Sequence, residues 1–124
     1  MNKIFNWKIS LISITSFGII TFFVNLDGNI ILTIFAALKE MLFRFFWGGF
    51  AGRFTQSISD KYKGITAYII GTLSITILAF IITFVLHYFT FTPNPLKTVG
   101  INTALTFLSE IGTIFLFKRG LMKV

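Results

Sequence analysis

Four charged side chains lie inside two apolar segments of the chain. Glu110 interrupts the segment 98–117, which is otherwise uncharged and long enough to cross a bilayer core. Lys39, Glu40 and Arg44 lie together in an earlier apolar segment. Ionisable groups at such depth are costly, and they usually face a bundle interior, a partner or a water-filled path. The four charges sum to zero, so they are able to compensate one another, to contact an anionic substrate or to hold a proton.

Helical periodicity places these residues on shared polar faces. Small and charged residues form one face of the earlier segment: Thr33, Ala36, Ala37, Glu40, Arg44 and Gly48. Arg44 is predicted to pair with Glu40, four residues away. It is also predicted to bridge to Glu110, which would lie at a similar depth, roughly 20 Å below the outer turn at about 1.5 Å per residue. Gly48 and Gly52 form a small-xxx-small step for close helix packing.

Threonine and histidine side chains predict a polar pathway along the last two helices. Its members are Thr76, Thr83, His87, Thr103 and Thr106. The threonines also suit modest hydrogen bonds between helices. His87, near the outer surface, suits an interfacial hydrogen bond or a proton relay.

Composition indicates an integral membrane protein. The 124 residues are 55% hydrophobic and 12% charged, with a mean hydropathy of +0.85. The net charge of +7 comes from short basic clusters between apolar segments, a layout that favours lipid headgroups over nucleic acid. No phosphate-binding loop, metal-ligand spacing or nucleophile with a nearby base is present, so neither an enzyme nor a cofactor or metal site is expected.

Four membrane spans are predicted within a single domain covering residues 1–124. They lie at about 9–26, 29–50, 65–89 and 98–117. This topology places nearly all of the basic residues on one side: Lys3, Lys8, Arg53, Lys61, Lys63, Lys118, Arg119 and Lys123. Because positive charge favours the cytoplasmic side, we expect an all-α four-helix bundle in the cytoplasmic (inner) membrane, with both termini cytoplasmic.

The two halves of the chain share short matches. A shift of 70 residues aligns Glu40 with Glu110 and Thr33 with Thr103. These matches indicate either an internal repeat of two helical hairpins in the same orientation or chance similarity between low-complexity segments.

The segment 96–122 resembles the last helix of the GtrA-like family of small four-helix membrane proteins. The matching positions are Lys97, Phe115, Phe117, Lys118 and Arg119. The family's usual Asn before the helix-end aromatic residues is replaced here by Thr113 or Ile114. The resemblance implies movement of polyprenyl-phosphate-linked sugars across the cytoplasmic membrane for cell-surface polysaccharide glycosylation.

These observations lead to a small transporter or flippase subunit as the first functional hypothesis. Arg44, with Lys39, would contact a phosphate, while Glu40 and Glu110 would balance charge or bind sugar hydroxyls or a proton. The expected partners are membrane lipids, including a polyprenyl-phosphate sugar, and either further copies of the chain or a larger membrane complex. The alternatives are an accessory subunit whose buried charges are structural or pair with a partner, and a holin-like pore former.

Overall fold

The protein, described here over residues 4–123 by a computed structural model, is entirely helical in that range. Four helices follow one another along the chain: α1 (Trp7–Val24), α2 (Ile30–Lys61), α3 (Ile65–Tyr88) and α4 (Pro95–Lys118). The prediction of an all-α fold with four helices is therefore confirmed. Lys3, one of the predicted basic-side residues, lies outside the described residues.

Short polar or turn-forming residues mark where the helices begin. The Asn6 side chain accepts hydrogen bonds from two backbone N–H groups in the first turn of α1, and Asn29 does the same for α2. Such caps satisfy N–H groups that have no partner within the helix. Gly64, with φ of 60°, precedes α3, and Pro95 opens α4.

The helices run alternately up and down, so the bundle has two distinct ends. At the end we call the basic end, where α1 begins and α4 stops, Lys8 Nζ donates to the Lys123 carbonyl (3.1 Å). Lys123 Nζ there contacts Asp60 Oδ1 at the close of α2 (2.7 Å). At the opposite end, which we call the turn end, Asn94 Nδ2 donates to Asp27 Oδ1 (2.7 Å), joining the α3–α4 and α1–α2 turns.

Polar residues fill the bundle interior while large apolar residues face outward. Among the described residues, 18 polar or charged residues are buried against ten hydrophobic ones. Leu, Ile and Phe side chains along all four helices are exposed. An apolar exterior of this extent is far larger than the patches found on soluble monomers. Three of the helices, α1, α3 and α4, are long and apolar enough to cross a membrane, which indicates a membrane protein.

Helix α2 differs from its predicted span. The other three helices begin and end within three residues of their predicted spans, but α2 continues to Lys61, eleven residues beyond the predicted end at 50. Its polar second half stays helical because one face packs on the bundle, where Ile58 clusters with Ala67 and Ile114. The first 18 residues of α2 contain three charged side chains, Lys39, Glu40 and Arg44, which is why this helix is less apolar than the rest.

Candidate functional site

Glu40 lies where all four helices meet. Its side chain is completely buried. Asn102 Nδ2, from α4, donates to Glu40 Oε1 (2.8 Å) and to Thr21 Oγ1 of α1 (2.9 Å). His87 Nε2, from α3, lies 3.3 Å from the same carboxylate oxygen. The Glu40 carboxylate of α2 thus contacts α3 and α4 directly and is linked to α1 through Asn102.

Arg44 pairs with Glu40, but part of its guanidinium has no hydrogen-bond partner in the described structure. Arg44 Nε lies 3.4 Å from Glu40 Oε2, and the guanidinium is only 2% exposed. Its central carbon sits 3.7 Å from the centre of the Phe17 ring, a cation–π contact with α1. Arg44 Nη2 is buried and has no hydrogen-bond partner within residues 4–123. This donor is available to a further acceptor, which would make the buried charge less costly.

Lys39 lies on a different face of α2 and points to the turn end. Lys39 Nζ donates to the Thr90 carbonyl and to Thr92 Oγ1 (3.0 Å), both in the turn just beyond the C-terminal end of α3. A cation is stabilised there because helix carbonyls at that end lack intrahelical partners. The prediction that Lys39 joins Arg44 in one binding site therefore does not fit the structure. The two residues are five positions apart, which places them about 140° apart around the helix.

Glu110 occupies a second polar centre, nearer the basic end. Its Oε2 accepts a hydrogen bond from Thr55 Oγ1 (2.7 Å), and the residue is 6% exposed. Thr55 lies eleven residues beyond Arg44, roughly 16 Å along α2. The described structure has no ion pair within 4.0 Å between Arg44 and Glu110, so the prediction that Arg44 bridges both acids is wrong. The depth estimate failed because residue spacing within a helix does not fix how the two hairpins are offset along the bundle.

Arg44 and Glu110 nevertheless line the same cavity, of about 160 Å³, between α1 and α4. Helix α2 closes its inner side through Trp47 and neighbouring small residues. Hydroxyl side chains line much of the remainder: Ser13, Ser16, Thr106, Ser109 and Thr113. Ser16 and Ser109 are exposed on the outside of the bundle. The cavity therefore opens laterally, toward what would be the membrane interior. Lys39 is not among the described residues that line it.

The predicted polar pathway does not form a continuous chain of hydrogen bonds. Thr106 lines the cavity and donates to the Asn102 carbonyl (2.7 Å). The hydroxyls of Thr76, Thr83 and Thr103 are buried and, within the described range, have no partner. His87 alone among the predicted pathway residues contacts a charged group, Glu40.

Gly48 and Gly52 lie against α1. A Cβ atom on Gly48 would stand 2.7 Å from Ser13 Oγ and 3.1 Å from the backbone Cα of Ser10. One on Gly52 would stand 2.9 Å from Ile9 Cβ. The absence of side chains at these two positions allows α1 and α2 to approach closely and sets one wall of the cavity.

Several polar residues that bind the helices together were missed by sequence reasoning. They are Asn6, Thr21, Asn25, Thr55, Thr98 and Asn102. The buried polar residues of α4 follow a four-residue spacing from Thr98 through Asn102 and Thr106 to Glu110. That spacing was available in the sequence, but Thr103 and Thr113 offered an equally regular alternative.

Comparison of the chain with family models, with curated proteins and with solved structures found no match. The resemblance to the GtrA-like family remains a prediction. The functional assignment consequently depends on the geometry of the buried charges and of the cavity.

Proposed function

We propose that the protein is a small multi-pass transporter or flippase subunit that receives the anionic headgroup of an amphipathic substrate in the α1–α4 cavity. The observation that supports this proposal is the environment of Arg44. Its side chain lines the cavity and is buried, and its Nη2 atom has no hydrogen-bond partner in the described structure. A guanidinium suits phosphate because its planar donors match two oxygens at once.

Membrane insertion is supported by the apolar exterior of the bundle. Although α2 carries three charges in its first half, Glu40 and Arg44 are buried inside the bundle and Lys39 reaches the turn end. The outward face of the first half of α2 therefore consists of exposed Ile, Leu and Phe side chains, like the outward faces of its neighbours. We place the basic end in the cytoplasm, with both termini, following the preference of positively charged loops.

The size of the cavity favours a substrate with a lipid tail. About 160 Å³ is well below the roughly 300–1,000 Å³ of typical pockets for drug-sized ligands. A small anionic group fits this volume, whereas its hydrocarbon chain would remain outside the lateral opening, in the bilayer. Serine and threonine hydroxyls at the rim would hydrogen-bond phosphate or sugar oxygens. A polyprenyl-phosphate-linked sugar, the substrate class implied by the resemblance, meets these requirements.

Binding of farnesyl phosphate, compared with uncharged farnesol, tests the proposal. Trp47 lines the cavity, so in a Trp7→Phe background its fluorescence reports ligand entry. We expect farnesyl phosphate to change the Trp47 signal saturably and farnesol to have little effect. Arg44→Gln should weaken binding at least about tenfold, since a hydrogen bond to a charged group contributes about 1.5–3 kcal/mol.

Arg53→Gln is the matched control, because it removes the same charge from the same helix outside the cavity. It should bind farnesyl phosphate like the unmodified protein. Equal binding of the two lipids, or equal losses in the Arg44 and Arg53 variants, would contradict the proposal. If Arg44→Gln does not fold, competition between inorganic phosphate and farnesyl phosphate in the unmodified protein gives the answer.

An accessory subunit of a larger membrane complex is the second candidate. The exposed residues Ser16 and Ser109 favour it, because polar groups on a membrane-facing surface suit hydrogen bonds to a partner helix. Purification in mild detergent from native membranes separates the two functions. A stoichiometric larger membrane protein without bound polyprenyl phosphate would support the accessory subunit, and bound polyprenyl phosphate without such a protein would support transport.

A further inference from the structure

His87 connects Glu40 to the turn end of the bundle. The imidazole is completely buried, and both ring nitrogens have partners. Nε2 lies 3.3 Å from Glu40 Oε1, and Nδ1 lies 2.8 Å from Thr92 Oγ1. Thr92 belongs to the α3–α4 turn and is 6% exposed. A hydrogen-bonded path therefore runs from the surface turn to the carboxylate that pairs with Arg44.

The direction of these hydrogen bonds follows from Glu40. An ionised carboxylate only accepts, so a neutral imidazole carries its proton on His87 Nε2 and donates it to Glu40 Oε1. His87 Nδ1 then accepts from the Thr92 hydroxyl, whose oxygen in turn accepts from Lys39 Nζ. One additional proton would reside on the His87–Glu40 pair, either as imidazolium beside carboxylate or as imidazole beside carboxylic acid.

The charges around this pair come almost entirely from α2. Arg44 faces Glu40 Oε2, and Lys39 lies at the outer end of the path. Helix α1 contributes the Thr21 hydroxyl through Asn102, and its single titratable residue, Lys8, is at the basic end. On α3, His87 itself is the titratable group at this level. Helix α4 contributes the Asn102 amide, while its own charged residues lie elsewhere: Lys97 and Lys118 are exposed, and Glu110 bonds to Thr55.

Net charge decides what can enter the cavity beside Arg44. With a neutral His87, and with Glu110, which lines the same cavity, in its protonated form, Arg44 and Glu40 sum to zero, so a bound anion would leave one uncompensated negative charge in the bundle. An uncompensated buried charge is strongly unfavourable. A proton taken up by the His87–Glu40 pair restores neutrality and frees the Arg44 charge to balance the anion.

We propose that Glu40 and His87 form a proton-binding site that takes up one proton for each negative charge bound beside Arg44. This makes the substrate step proton-coupled, with the proton reaching the pair from the turn end through Thr92. The inference rests on the proposed anion-binding function of the cavity. Because linkage is reciprocal, anion binding raises proton affinity by the same factor as protonation raises anion affinity.

Proton uptake on binding of 1-octanesulfonate tests the proposal. This amphipathic anion carries one fixed charge, so it contributes no proton of its own near neutral pH. Calorimetric titrations of the unmodified protein in two buffers with different ionisation enthalpies should give about one proton taken up per sulfonate bound. In the pH range where the free site is unprotonated, the affinity for sulfonate should fall about tenfold for each unit by which the pH rises.

Substitutions at the pair assign the proton. Glu40→Gln should bind sulfonate with no proton uptake and with an affinity independent of pH, and His87→Gln should lose uptake as well. Asp60→Asn, the same carboxylate-to-amide change in an ion pair at the basic end, should keep it.

The outcomes separate this inference from the proposed function. Sulfonate binding without proton uptake in the unmodified protein overturns the inference alone, as does uptake retained in both pair variants. Binding of neither 1-octanesulfonate nor farnesyl phosphate overturns both. Binding of farnesyl phosphate but not of 1-octanesulfonate would show that binding does not depend on negative charge alone. It therefore overturns the inference, which derives proton uptake from that charge. The measurement on unmodified protein decides the matter even if Glu40→Gln does not fold.

Discussion

At the scale of single residues, the bundle is organised by polar side chains that each join two or more helices. The Asn102 amide bonds both Glu40 and Thr21, and the Asn25 amide bonds both the Thr21 carbonyl and Thr98 Oγ1. Within a membrane the hydrophobic effect does not hold helices to each other, so such bonds and close packing supply the specificity. The charged pair at the centre is positioned by neutral amides and hydroxyls.

Replacing Asn102 should therefore destabilise the protein. Asn102→Leu keeps a similar volume but removes the donor to Glu40 and to Thr21, and we expect a loss of about 1–3 kcal/mol in the free energy of unfolding. Unfolding in mixed micelles by increasing dodecyl sulfate, followed by circular dichroism, measures it.

Thr103→Val is the control one position along α4. It removes a buried hydroxyl that has no partner in the described structure. The free energy of unfolding should therefore stay the same or rise, because no hydrogen bond is lost and an unpartnered buried polar group is removed. Equal effects of the two substitutions would show that the Asn102 amide has no special role in stability.

At the scale of helices, hydropathy predicted most boundaries but not the contacts between faces. The bounds of α1, α3 and α4 follow from apolar runs that end at turn residues. The second half of α2 is polar in sequence, and its helicity depends on packing of Ile58 against α3 and α4, which no local pattern encodes. The rotation of α4 was also undetermined, because an apolar or polar stripe about 100° wide accommodates either Asn102 or Thr103.

The residue types of the candidate site were predictable from the sequence, but the contacts between its side chains were not. The pair Glu40 and Arg44 followed from four-residue spacing. The placement of His87 beside Glu40, and of Glu110 beside Thr55, depends on how the two hairpins are offset along the bundle. Residue spacing within a helix carries no information on that offset.

The approach of α1 to α2 depends on Gly48. Gly48→Ala would bring a methyl group 2.9 Å from Ser13 Cβ and 3.1 Å from the Ser10 backbone, so α1 has to move. Overpacking of this kind costs about 1–3 kcal/mol in the free energy of unfolding. Because Ser13 lines the cavity, we also expect a shift in Trp47 fluorescence.

Gly112→Ala supplies the control, since a Cβ atom there meets nothing within 4 Å. In mid-helix it should raise the free energy of unfolding by up to about 1 kcal/mol through reduced backbone freedom. Comparable stability of the two alanine variants would mean that α1 and α2 do not require close approach at Gly48.

At the scale of the whole molecule, the distribution of charge and of apolar surface gives the bundle a direction. Basic residues collect where α1 begins, α2 and α4 end and α3 begins, while the turn end carries Asp27, Lys97 and the ammonium of Lys39. The proton path from Thr92 starts at the turn end. If the basic end is cytoplasmic, proton entry is from outside the cell, the direction in which a proton gradient would drive coupled movement.

Accessibility of single cysteines to a membrane-impermeant maleimide tests this orientation, and the chain is suited to it because it contains no cysteine. Leu96 and Leu108 are both 62% exposed and both on α4, but Leu96 is at the turn end and Leu108 lies twelve residues further along. In intact cells we expect Leu96→Cys to be labelled and Leu108→Cys to remain unlabelled, because lipid surrounds the latter. Ile65→Cys, 74% exposed at the basic end, should react only after permeabilisation.

Equal labelling of the two leucine positions would show that α4 is surrounded by water. Labelling of Ile65→Cys before Leu96→Cys would instead reverse the orientation, and with it the side from which the proton enters.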